Sequence, residues 1–148
     1  DEKQVVKIID FGQSCPTNTV KPRIQGTPDY IAPEQVKRQQ ITPRTDVFNL
    51  GATMYWLTTR KHIPTMLASK GEAGSLRNAD PKPKTVLPPA ELNPDVPPAL
   101  SSLIMSCVQD DPAERPSSMK QVQDRLGMAL SQLSRSASAG SARSASAI

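Results

Sequence analysis

The chain has 148 residues, a formal charge of +4, 36% hydrophobic and only 3% aromatic residues, a balance that suits one globular domain of ordinary size. No run of about 18 apolar residues occurs, which excludes a transmembrane helix, and the basic residues are neither clustered nor interleaved with aromatics, so no nucleic-acid partner is expected. Two cysteines, Cys15 and Cys107, are too few for a disulfide scaffold or a zinc site and read as reduced cytoplasmic thiols.

The first residue is Asp1 rather than Met, and the start is charged, so no signal peptide is expected and the chain reads as a piece of a longer product. Val5, Val6, Ile8 and Ile9 form a β-branched run that predicts a strand. The run ends at Asp10-Phe11-Gly12, where glycine permits a sharp turn. A loop follows with Ser14, Thr17 and Thr19 and the cations Lys21 and Arg23, and it closes on Gly26-Thr27-Pro28-Asp29-Tyr30-Ile31-Ala32-Pro33-Glu34. An Asp-Phe-Gly triplet followed by an Ala-Pro-Glu triplet bounds an activation segment. On these residues the chain resembles the eukaryotic-type serine/threonine protein kinases, with a bacterial-type member the nearest expectation.

That resemblance implies roles. Asp10 would hold Mg²⁺ against the phosphates of ATP, and Phe11 would pack into the core and set the direction of Asp10. Thr27 would hydrogen-bond the catalytic aspartate of a loop not present here and help shape the acceptor pocket. Thr17 and Thr19 would be phosphorylation sites in a mobile loop; the alternative is a solvated polar loop. The same resemblance exposes gaps. A glycine-rich phosphate loop, a strand lysine and a catalytic loop should all precede Asp10, yet only nine residues do.

Farther along, Thr42 reads as an N-cap with Pro43 at the first helical position and Asp46 in the first turn. Residues 47–57 are apolar nearly all round, the mark of a surrounded central helix. The resemblance makes it the helix on which a kinase's large lobe is assembled, with Asp46 bracing the catalytic loop; by itself Asp46 is an ordinary helix-N-terminal acid. His62 sits in a polar stretch and reads as a surface residue. Residues 60–98 are interrupted by Gly71, Gly74, Pro81, Pro83, Pro88, Pro89, Pro94, Pro97 and Pro98, with room for one short helix near 64–69.

Helical periodicity returns at Leu100, Leu103, Ile104, Cys107 and Val108, which puts Cys107 on the buried face. In Asp110-Asp111-Pro112-Ala113-Glu114-Arg115-Pro116 the resemblance makes Arg115 the buried partner of Glu34. Ser118 with Gln121 predicts a capping box for a last helix with Met119, Val122, Leu126, Ala129, Leu130 and Leu133 on its apolar face. Residues 134–148 are low-complexity Ser/Ala/Arg and predict a disordered tail or linker.

The expected fold is therefore protein-kinase-like α+β. Residues 1–133 form a partial kinase domain, the mainly helical C-terminal lobe with a short strand or hairpin at its start. The expected function is ATP- and Mg²⁺-dependent phosphoryl transfer to Ser/Thr of protein substrates in the cytoplasm. It needs the N-terminal lobe in cis, so the chain alone should be inactive and, with apolar surface uncovered, self-associating or partly molten. The alternative is a non-catalytic kinase-like interaction module.

Overall fold

The computed structural model describes residues 7–64 and 85–145. Its centre is α2, Pro43–Thr59, and the sequence explains both ends of that helix. The Thr42 hydroxyl accepts from the Arg44 N–H while the Thr45 hydroxyl accepts from the Thr42 N–H, so two orphan amides are satisfied reciprocally. At the other end Arg60 takes a left-handed conformation (φ 57°) that stops the helix and turns the chain back.

Three helices pack around α2. The short α3 (Pro89–Leu92) is tied to it by the Tyr55 hydroxyl on the Leu87 carbonyl (3.0 Å) and by Asn93 Nδ2 on the Thr58 carbonyl (2.9 Å). Next, α4 (Pro98–Cys107) crosses α2 at Gly51, where a Cβ would stand 2.6 Å from Cys107 Cβ, so only glycine permits the approach. Phe48, Ala52, Tyr55, Ile63, Ile104 and Val108 fill one core cluster; Val47, Leu103, Cys107 and Val122 fill a second. The last helix, α5 (Met119–Ala145), covers the second cluster with Val122 and the partly buried Leu126.

Ahead of α2 lie α1 (Pro33–Val36) and a two-stranded antiparallel sheet, β1 (Thr19–Val20) paired with β2 (Gln40–Ile41). This pairing holds the loop after Gly12 against the chain entering α2.

The structure departs from the expected elements in four places. Lys7–Asp10 is not a strand, and Ile8 and Ile9 are 79% and 81% exposed, because no described segment offers them a neighbour to pair with; Val5 and Val6 lie outside the described residues. Phe11, expected in the core, is 67% exposed for the same reason: no described element lies over it. On α5 only Val122 and Ala129 of the predicted apolar face are buried, since α4 reaches no farther; Met119, Leu130 and Leu133 are exposed. Finally, α5 runs through Ala145 into the stretch expected to be disordered. Alanine and arginine are good helix formers, and no proline follows Pro116 to break the turn. The short helix expected near 64–69 falls on residues outside those described, apart from Pro64, which is not helical.

Helix α2 is only partly surrounded. Leu50 and Leu57 are 37% and 55% exposed, the uncovered apolar surface foreseen for this chain.

Candidate active-site cleft

An open cleft of about 740 Å³ lies where the segment after Asp10, the Gly26–Glu34 segment and the first two turns of α2 converge. It brings Asp10, Phe11, Thr27 and Asp46 together on one wall system, although 36 residues separate the first from the last. Gly12, Thr17 and Thr19 do not line it. Gly12 instead donates its N–H to Asp10 Oδ1 (3.2 Å), which helps hold Asp10 in a left-handed conformation (φ 63°). The Thr19 hydroxyl donates to the Pro16 carbonyl at the start of β1, and Thr17 is exposed.

Gly26 has φ 132°, open to glycine and rarely to any other residue, and a Cβ there would reach Ile31 at ordinary contact distance, so the backbone conformation rather than space calls for glycine. The segment is then fixed from below. Asn49 on α2 donates through Nδ2 to the Tyr30 carbonyl (2.6 Å) and to Gln35 Oε1 (3.2 Å); the same Oε1 accepts from the Ala32 N–H (3.0 Å). Gln35 and Asn49 thus position the loop that carries Thr27. Sequence reading missed them: Asn49 is one polar residue inside the apolar run 47–57, and Gln35 stands in a segment too short for a pattern.

Behind the cleft the predicted pair is made in full. Arg115 Nη1 donates to Glu34 Oε1 at 2.7 Å and Nη2 to Oε2 at 2.9 Å, and both side chains are buried. The remaining guanidinium hydrogens go to the carbonyls of Gln109 (2.7 Å), Arg44 (3.0 Å) and Asp110 (3.0 Å), so every donor of the fork is used. The guanidinium also lies 4.8 Å from the centre of the Phe48 ring. Glu34 gains a third partner, the Thr45 hydroxyl at 2.8 Å. Burial pushes the Glu34 carboxyl up, but the hydrogen bonds from Arg115, its backbone and Thr45, with the Arg115 charge, outweigh it and hold the carboxyl below its ordinary range. Thr45 also lines the cleft, so the pair and the cleft wall share one side chain.

Other predicted residues stand apart. Cys107 is buried, and burial pushes its thiol up to about 11, which leaves it unreactive. His62 is exposed, as expected. Among the described residues no group of three or more His, Cys, Asp or Glu could hold a metal by itself, and no helix is long and apolar enough to cross a membrane.

Cleft, buried pair and helical scaffold together define a protein kinase large lobe. The protein kinase domain model matches residues 1–126, and the chain belongs to that family, of the serine/threonine type. It is 34% identical over 128 residues to the serine/threonine-protein kinase PknD of Chlamydia trachomatis, covering 85% of this chain and 13% of that protein. The PknD of Chlamydia felis is 30% identical over 128 residues (84% and 13%). A protein of Clostridium acetobutylicum named as a probable serine/threonine-protein kinase is 28% identical over 134 residues (84% and 19%). The chain therefore spans under a fifth of the length of these relatives.

Proposed function

We propose that the chain is the C-terminal part of a serine/threonine protein kinase that transfers the γ-phosphate of ATP to Ser and Thr of proteins. The observation that carries this reading is the convergence of Asp10, Thr27 and Asp46 on one cleft, braced from behind by the Glu34–Arg115 pair. Asp10 offers an exposed carboxylate at the cleft. Mg²⁺ is ordinarily held by one or two carboxylates plus substrate phosphates and water, so Asp10 suits a share in such a site. When bound, the ion supplies charge neutralisation at the phosphates.

The chain's own residues do the rest. Thr27 lies on the segment pinned by Asn49 and Gln35, where a rigid edge can orient an acceptor hydroxyl. Asp46, exposed on the first turn of α2, lines the same cleft, and in this reading it braces a catalytic loop from elsewhere in the protein. Thr17 and Thr19 border β1, where a phosphate would bear on the loop's pairing with β2. The nucleotide lobe and catalytic base must come from outside this chain, so the chain by itself is inactive. Two free thiols and ATP-dependent chemistry fit the cytoplasm.

The test uses the product of the complete reading frame with ATP, Mg²⁺ and a general Ser/Thr substrate such as casein. Transfer should fall on the order of 10²-fold or more in Asp10→Asn, and the 148-residue chain alone should show none. Undiminished transfer by Asp10→Asn would remove Asp10 from the site. Absence of transfer by the complete product would favour a non-catalytic interaction module.

A further inference from the structure

One row of side chains leads out of the cleft. Tyr30 lines the cleft, and its ring meets the edge of His62 (centroids 5.5 Å apart, planes at 83°). His62 in turn lies nearly parallel to Trp56 on the last turns of α2 (6.2 Å, 23°), and the Arg60 guanidinium stands 5.0 Å from the centre of the Trp56 ring. The left-handed turn at Arg60 brings this about: it sends the chain back so that His62 sits between two rings from different segments. The turn is anchored by Ile63, which is buried, so neither His62 nor Arg60 is needed to fill the core. Arg60, Lys61 and His62 are exposed, while Tyr30 and Trp56 are half-buried.

The charge of this row is unbalanced. Among the described residues the ion pairs are Arg115–Glu34 and Lys120–Asp124; neither Arg60 nor Lys61 meets a carboxylate. Asp29, beside Tyr30 in sequence, makes no ion pair with either cation and carries one charge against their two. The two cations attract a carboxylate and repel an ammonium or guanidinium, and the Trp56 ring that would otherwise attract a cation already holds Arg60. The row begins at the segment that holds Thr27, so a peptide lying along that segment puts a residue flanking the acceptor over it.

We propose that Tyr30, His62, Trp56 and Arg60, with Lys61, form a peptide subsite selecting Ser/Thr segments that carry an acidic residue beside the acceptor. This rests on the kinase reading and names its substrate class. The test gives the complete protein a set of peptides with one Ser acceptor and Asp, Ala or Arg at each flanking position. At one flank Asp should exceed Arg by about fivefold in kcat/KM, the scale of an exposed charge pair. In Arg60→Glu/Lys61→Glu the Asp-to-Arg ratio should invert; in Arg60→Gln/Lys61→Gln it should approach one, a milder change that serves if the reversal unfolds the turn. The readout is the ratio within each variant, not its absolute rate. Wild type that phosphorylates the Ala-flanked peptide but shows no flank preference, or variants that keep the wild-type ratio, overturn the subsite and leave the kinase reading standing. Wild type that phosphorylates no peptide at all overturns both.

Discussion

Glu34 and Asp10 are carboxylates of one segment, 24 residues apart, and their circumstances are opposite. Glu34 is 3% exposed and bound by Arg115 and Thr45. Asp10 is exposed, in a left-handed conformation, with a neighbouring backbone N–H on one oxygen. Every partner Glu34 needs lies within this chain. Asp10 lines the cleft, and no cation pairs with it among the described residues. The buried pair is therefore complete in itself, while Asp10 stands at an open edge of the cleft.

The sharpest way to break this contrast is to cut the buried pair. Arg115→Ala leaves Glu34 charged and buried, and Glu34→Ala leaves the guanidinium unmatched. Each should cost about 3–5 kcal/mol of unfolding free energy. In the double variant the loss should be well below the sum; full additivity, measured by denaturant unfolding of the complete protein, would mean that the two are not coupled. Acid gives an independent reading. The folded carboxyl lies below its unfolded value, so the stabilisation is whole above the unfolded pKa of ~4.3 and is lost as pH falls through the folded one. Glu34→Gln should flatten that part of the stability profile and leave neutral pH behaviour to the remaining contacts.

A smaller effect tests the packing that carries the pair. Gly51→Ala drives a methyl into Cys107 and Val108 across the α2–α4 crossing. Overpacking of this kind should cost about 1–3 kcal/mol, seen as a lower denaturation midpoint with an unchanged slope. Wild-type stability for this variant would mean that the helices cross less tightly.

The same contrast explains what could be read from the sequence. The Glu34–Arg115 contact, the Thr42 cap and burial of Cys107 follow from residues this chain contains. The strand predicted from the β-branched run is absent over Lys7–Ile9, the part of it that the structure describes, and Phe11, placed in the core by the resemblance, is exposed; among the described residues nothing covers either. Gln35 and Asn49 went unseen for another reason: a bridge between a loop carbonyl and a helix amide leaves no periodicity, only two polar residues at useful positions. The β1–β2 pairing is two residues long in each strand, too short for alternation to register.

The smallest expected effect sharpens the contrast from its open side. Phe11 is 67% exposed, so in the 148-residue chain Phe11→Ser removes little buried area and should change stability by under about 0.5 kcal/mol. In the complete protein the expectation reverses. If other segments close over Asp10-Phe11-Gly12, the ring becomes buried, and its loss should cost several kcal/mol, toward the 3–5 of a core phenylalanine truncation. Measuring the same substitution in both backgrounds isolates the part of Phe11 burial that comes from outside residues 1–148. Equal and small effects would show that the ring stays at the surface in the complete protein, and Asp10 would then lack the packing that aims it.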